Sequence, residues 1–298
     1  MANVKAARLT GRAVIGVSGA DAPTFLQDLV TSDIAGLDDG AARNAALLTP
    51  QGKILFEFIV VHATGARFLI ECPADSVDEL VKRLTFYKLR AKVDLAPLPD
   101  LDVLALWADT GDADTTAPDF EGVYTDPRLP ALGWRAIVPE ACSAGILGKF
   151  EAADEAAYEA HRIGLGVAEL GKDYQSGAVF PHEADLDQLG GVDFSKGCYV
   201  GQEVVSRMQH RGTARSRFVP VTLDGTAGVG TPVEAGGKQV GTMGSSASGR
   251  GIALLRLDRV AKAVEAGDRV TSGAATLVPV KPGWATFDWP AGETTDAE

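Results

Sequence analysis

From Ser216 onward the chain breaks into short apolar runs, Phe218 to Leu223, Lys238 to Met243, Ile252 to Leu257 and Ala275 to Val280, separated by Gly, Ser, Thr and Pro. Short, evenly spaced runs with turn residues between them cannot build long helices, and they predict a small antiparallel β-barrel over 216–290. The polar stretch 291–298 is expected to be a disordered tail. Upstream the texture is mixed. Arg12 to Ser18 alternates as a strand, and Phe25, Leu26, Leu29 and Val30 mark a short amphipathic helix with Asp21 as its N-cap. Asn44 to Leu48 and Ile54 to His62 read as strands joined by Thr49-Pro50-Gln51-Gly52-Lys53, a hairpin connection. A strand at Arg67 to Cys72 precedes a helix face of Val77, Leu80, Val81 and Leu84, capped by Asp75 or Ser76, and a strand follows at Val93 to Leu95.

A second block has strands at Asp102 to Trp107, Gly122 to Tyr124 and Trp134 to Val138, with an acidic loop from Asp109 to Phe120 expected to be solvated. Ala- and Glu-rich Glu151 to Arg162 predicts a helix. Hairpins outnumber crossovers, so the expected class is α+β rather than a doubly wound sheet, with residues 1–215 forming two subdomains at roughly 1–100 and 101–215.

The chain's 298 residues, 46% of them hydrophobic, suffice for two or three domains with proper cores. Cys72, Cys142 and Cys198 are widely spaced and odd in number, which argues against a disulfide framework. No CxxC or Cys/His ligand spacing occurs, so no metal site is expected. An iron–sulfur cluster is usually held by about four thiolates, so this chain would not enclose one by its own cysteines. Met1 to Val14 carries no apolar core of secretory length, and no apolar run reaches the roughly 20 residues of a membrane span. These features lead to a cytoplasmic location as the expectation. A net charge of −12 disfavours broad adhesion to nucleic acid or anionic membrane.

The densest chemistry lies between Asp193 and Phe218. Gly197 and Gly201 bracket Cys198 and Tyr199, which places the thiol on a tight turn. Val204, Val205 and Met208 then recur at helical spacing, so a helix is expected to begin near Gly201 to Glu203, its N–H groups favouring negative charge. Lys196 and the arginines that follow also favour a thiolate at Cys198. Arg207, His210, Arg211, Arg215 and Arg217 form a basic segment in an acidic chain. Cys72 and Cys142, without basic neighbours, read as structural.

The run KGCYVGQE, Lys196 to Glu203, resembles the signature of the YgfZ family, folate-binding proteins related to the T-protein (aminomethyltransferase) of the glycine-cleavage system. SGADAPTFLQDLVTSD and RIGLGVAELGKDYQSGAVFPHEADLDQLGGVDF are similar to family segments too, so the resemblance runs from about Ser18 to Arg217. It implies an aminomethyltransferase-like fold of ferredoxin-like α+β subdomains ahead of the barrel. T-proteins carry an acidic residue where YgfZ proteins carry the cysteine, which sides Cys198 with YgfZ. The implied function is a tetrahydrofolate-binding auxiliary protein supporting iron–sulfur cluster assembly or repair, including the clusters of tRNA-modifying enzymes, without turnover of its own being required. Cys198 is the implied reactive residue. Lys196, Tyr199, Gln202, Glu203 and Arg207 are implied around a folate cavity, with Tyr158 to stack on the pterin and Asp187 and Gln188 to pair with its edge. His182 and Glu183 are further polar candidates. The implied partners are iron–sulfur assembly proteins or cluster-dependent client enzymes. Two other readings stay open: a tetrahydrofolate-dependent aminomethyltransferase or demethylase, and an RNA-binding module using Arg207 to Arg217.

Overall fold

The computed structural model describes residues 4–108, 117–212 and 214–289. Most of the Asp109–Phe120 loop (109–116) and the tail at 291–298 lie outside the described residues. The chain forms two units, one of Met1–Tyr158 with Leu189–Gln202 and one of Glu159–Gln188 with Glu203–Glu298.

The first unit is built on two five-stranded sheets. One contains β2 (Arg12–Ser18), β3 (Ala42–Leu48), β4 (Ile54–Thr64), β5 (Arg67–Pro73) and β6 (Asp94–Pro97) in the order β3-β4-β5-β2-β6, all antiparallel. The other contains β1 (Val4–Arg8), β7 (Leu101–Ala108), β8 (Val123–Thr125), β9 (Trp134–Pro139) and β10 (Glu151–Ala152) in the order β10-β1-β7-β9-β8. Side chains of a strand alternate between its faces, and this sorts the core. Ala45, Leu47, Phe56 and Phe58 of β3 and β4 pack against Phe25, Leu26 and Leu29 of α1 (Ala22–Leu29) and Leu80 and Leu84 of α2 (Val77–Lys88). On the opposite face, Val14, Ile59 and Val61 join Ala7, Val103, Ala105, Trp107 and Tyr158 in a layer between the sheets. The outer face of the second sheet, with Leu104, Leu106 and Ala136, meets Ile146 and Leu147 of α3 (Glu140–Leu147).

Helix α4 (Glu155–Gly164) and helix α5 (Gln202–Arg211) stand where the chain passes from one unit to the other. In the second unit β11 (Ser216–Asp224), β12 (Pro232–Ala235), β13 (Lys238–Ala247), β14 (Arg250–Arg256), β15 (Val270–Ser272) and β16 (Ala275–Pro279) close into a barrel in the order β11-β14-β13-β12-β15-β16. Val219, Val221, Val233, Met243, Leu255, Val270 and Leu277 fill it, and α6 (Leu257–Glu265) contributes Leu257 and Val260. The α+β class and the closed antiparallel C-terminal barrel agree with the sequence reading.

Local details differ. Asp21 makes no cap bond with its side chain; its carboxylate accepts the Lys92 N–H at 2.7 Å instead. Ser76 precedes α2 without a side-chain cap and donates its hydroxyl to the Pro73 carbonyl. The helix expected from Glu151 begins at Glu155, because Glu151 and Ala152 pair in parallel with Lys5 and Ala6.

Candidate functional site

The cysteine-bearing loop, itself part of the first unit, is clamped to the rest of that unit at three points. Asp193 donates its N–H to the Thr31 carbonyl and accepts, on one carboxylate oxygen, the N–H of Ser195 at 2.7 Å, its hydroxyl at 2.6 Å and the N–H of Lys196 at 3.1 Å. Those bonds, the Ser195 hydroxyl foremost, hold its carboxyl below the usual range against the opposing effect of burial. The Lys196 ammonium donates to the carbonyls of Gln27, Val30 and Ser32 at 2.7, 2.6 and 2.7 Å. These oxygens belong to the end of α1 and the residues after it, where helix carbonyls lack intrahelical partners and a cation is favoured. Burial lowers Lys196 to about 8, against the pull of Asp33, Asp193 and Asp28. Gly201 sits at φ 81°, and a Cβ there would lie 2.6 Å from the Thr49 carbonyl oxygen. Only glycine lets the loop rest on the hairpin turn at 49–52.

Between these clamps Cys198 is exposed, while Tyr199 is buried with its ring 5.5 Å from the Lys196 ammonium. Burial raises the Tyr199 phenol to about 12, with Asp193 adding to it. One expectation about this turn needs correcting. Lys196 serves backbone carbonyls rather than the thiol, and Gly201 is required for chain-on-chain packing. Gly197 is open: a Cβ there would meet nothing within 4 Å. The helix expected after the turn is α5, whose first residue is Gln202. Glu203 and Arg207, both exposed, form an i,i+4 ion pair on it.

The remaining candidates are placed differently from what the sequence implied. Tyr158 is 1% exposed, with its ring edge-on to Trp107 and its hydroxyl accepting from Arg135 at 2.9 Å and Arg128 at 3.2 Å. A ring so enclosed offers no face for stacking, and its role is to complete a buried charge cluster. There Arg135 and Arg128 bind Asp126, while Arg12 and Arg135 bind Glu71, which also accepts the Tyr124 hydroxyl. Burial alone would raise both carboxylates, yet the arginines bring Glu71 and Asp126 below their ordinary range.

In the second unit, Asp187 takes two hydrogen bonds from Arg217, at 2.8 and 2.9 Å, and Arg217 also reaches Asp185 at 2.9 Å. Gln188 accepts the N–H and hydroxyl of Thr286 and donates to Asp187. Both residues expected to read a pterin edge are thus engaged by protein groups. Burial, only partly offset by Arg217, holds Asp185 well above the carboxylate range. Buried Arg217 is thereby lost from the expected basic segment; His210, Arg211 and Arg215 remain exposed. His182 is buried beside Gln209 and shifted down by burial, and Glu183 accepts the Phe180 N–H. Buried Cys72 is pushed up to about 11 by desolvation, but Cys142, expected to be structural, is exposed on α3.

Besides the charge cluster, a buried amide escaped the sequence reading. Asn44 of β3 is buried, and neither its amide nitrogen nor its amide oxygen has a hydrogen-bond partner. Register pairs it with Ile59 and pairs Ala46 with Glu57, so Asn44, Ala46 and the buried Glu57 share one sheet face. The available signal was an amide at the head of the apolar run Ala45 to Leu48. No group of three His, Cys, Asp or Glu side chains suited to a metal ion occurs among the described residues.

The chain is 33% identical over 312 residues to the human iron-sulfur cluster assembly factor IBA57, mitochondrial, covering 95% of this chain and 85% of the human protein. This chain belongs to the IBA57 family of iron–sulfur cluster assembly factors. The mouse IBA57 is 33% identical and is covered over 78% of its length. A Neurospora crassa IBA57 homologue is 34% identical, and there the chain spans about half of the relative, 53%. The family model for the CAF17 C-terminal beta-barrel domain matches residues 215–287, the barrel. A crystal structure of the glycine cleavage system aminomethyltransferase T from Bartonella henselae superposes with a TM-score of 0.75 over 97% of this chain and 88% of its own, at 16% identity. The fold is therefore aminomethyltransferase-like. The expected cytoplasmic location is overturned by the IBA57 relatives, each of which is named as mitochondrial. No helix among the described residues is long and apolar enough to cross a membrane.

Proposed function

We propose that this chain is an auxiliary protein of iron–sulfur cluster assembly, of the YgfZ type, that binds a reduced folate and presents Cys198 to a sulfur- or iron-bearing partner. The observation that carries this reading is an exposed thiol on a loop whose neighbours on both sides are locked, by Lys196 and by Gly201. A thiol fixed in position and open to solvent can meet an incoming group without an ordering cost. Cluster iron is cargo here. One loop thiol does not complete a coordination shell, so the partner chain supplies the other ligands.

Asn44 supports the folate part. A buried amide with both donor and acceptor unmet costs free energy, and the aminopyrimidinone edge of a pterin offers the matching acceptor and donor. Asn44 and Glu57 would hold that edge. A reduced folate supplies one-carbon acceptor chemistry when bound. Lys196 and Tyr199 position the loop, and Gln202, Glu203 and Arg207 provide the polar groups that follow the thiol in sequence. Asp187 and Gln188 act by fixing Arg217 and Thr286.

Two measurements test the reading separately. Calorimetric titration of the full chain with tetrahydrofolate should lose at least about tenfold in affinity on Asn44→Leu, while Cys198→Ser binds as the wild type does. In cells lacking the native protein, Cys198→Ser should fail to restore cluster-dependent enzyme activities. Full restoration by that variant would sink the thiol's role, and undiminished folate binding by Asn44→Leu would sink the pterin assignment.

A further inference from the structure

Two side chains at the C-terminal end of α2 stand out from the rest of the molecule. Phe86 is 72% exposed and Leu89 is 89% exposed, the highest values among the large hydrophobic residues described. Phe86 lies in the last turn of α2, and Leu89 is the residue that ends it. The helix does not need them for its own packing: Leu80 and Leu84 are buried in the core beneath it, with Val77, Val81 and Tyr87 against the same core. Leu89 is also held at φ 45°, ψ −104°, a backbone region that side-chain-bearing residues rarely occupy. Strain that places a leucine in water brings no internal contact in return, and strain of this kind collects at functional positions.

The surroundings are basic. Lys82, Arg90 and Lys92 are exposed around the pair, with Arg83 and Lys88 half-buried, and no acidic residue occurs between Leu80 and Val93. Lys88 lies 3.9 Å from Asp94, and Asp78 and Glu79 sit in the first turn at the other end of the helix. In a chain of net charge −12 this is a local reversal of sign.

We propose that the C-terminal end of α2, with Phe86 and Leu89 at its centre and Lys82, Arg90 and Lys92 at its rim, is a docking surface for a partner protein that offers an apolar pocket within an acidic surface. An apolar centre with a charged rim is the anatomy of a protein interface, in which the rim charges steer the encounter. A membrane is the poorer occupant, because two side chains give little insertion and the acidic protein is repelled by anionic lipid at a distance. The proposal is independent of the folate and thiol reading.

The test is photo-crosslinking from p-benzoylphenylalanine at position 86 of the full chain in its native host, with mass-spectrometric identification of the adduct. The expected adduct is an acidic protein. Its purified form should bind the wild-type chain with a salt-sensitive association rate. Affinity should fall at least about tenfold on Phe86→Ser and on Leu89→Gly. Leu89→Gly should leave thermal stability equal or higher, since glycine adopts φ 45° without strain. The combined Lys82→Glu, Arg90→Glu, Lys92→Glu variant should slow association and reverse the sign of its salt dependence. The proposal is overturned by an adduct to a second copy or to nucleic acid, by no adduct, by co-sedimentation with phosphatidylglycerol vesicles that requires Phe86, or by partner binding indifferent to these substitutions.

Discussion

The ammonium of Lys196 lies 2.6 Å from the carbonyl oxygen of Val30, the residue that ends helix α1. A motif lysine far along the chain thus closes the end of a helix near its start, and the thiol two residues later inherits its position from that bond. Lys196→Met would leave three carbonyls without their cation. Hydrogen bonds to charged groups contribute roughly 1.5–3 kcal/mol, so a stability loss of about 2–3 kcal/mol is expected in chemical denaturation, with faster hydrogen exchange across 193–202. Unchanged stability and exchange would show that the bond has no such role.

The same lysine should titrate early. Its folded value, about 8, lies below that of an unfolded lysine, so the folded chain releases this proton first and stability rises as pH climbs from about 8 toward the unfolded value. Amine acetylation followed residue by residue should show Lys196 reaching half its limiting rate near pH 8, while exposed lysines do so near about 10.4.

Gly201 and Gly197 should behave oppositely. Gly201→Ala puts a Cβ against the Thr49 carbonyl at a positive φ and is expected to cost about 1–3 kcal/mol from backbone strain alone. Gly197→Ala meets open space and should stay within about 0.5 kcal/mol of wild type. Urea midpoints of the two variants decide this, and equal values would contradict the clamped-loop geometry.

The cluster around Tyr158 should set the acid limit of the first unit. Glu71 and Asp126 titrate below the ordinary carboxylate range, so their stabilisation is complete above about pH 4 and is lost as pH falls through their folded values. Asp126→Asn leaves Arg128 and Arg135 short of a buried counter-charge. A cost of about 3–5 kcal/mol near neutrality is expected, with a flatter dependence of stability on pH between 6 and 3. Tyr158→Phe should cost about 1 kcal/mol or more in the same denaturation experiment, because Arg128 and Arg135 lose the hydroxyl that accepts from them.

Much of the architecture could be read locally. The alternation in Arg12 to Ser18, the Pro-Gly connection at 49–53 and the short runs after Ser216 each carry their structure in neighbouring residues, and the strands and barrel follow. Cap assignments at Asp21 and Ser76 failed because those side chains found other partners, one of them the distant Lys92 N–H. Tyr158, Asp187 and Gln188 were misjudged for a related reason. A polar or aromatic residue in a promising stretch looks the same whether it faces a ligand or a buried arginine.

By itself, the sequence determined the periodicities, the turns, the thiol between two glycines and the reversal of charge near it, all properties of residues within a few positions of one another. Only the tertiary structure decided that Lys196 bonds to the end of α1, that Asn44 keeps a buried amide unmatched, and that Leu89 stands in water on a strained backbone. Burial and hydrogen bonding are set by partners many residues away, and side-chain chemistry alone does not name them.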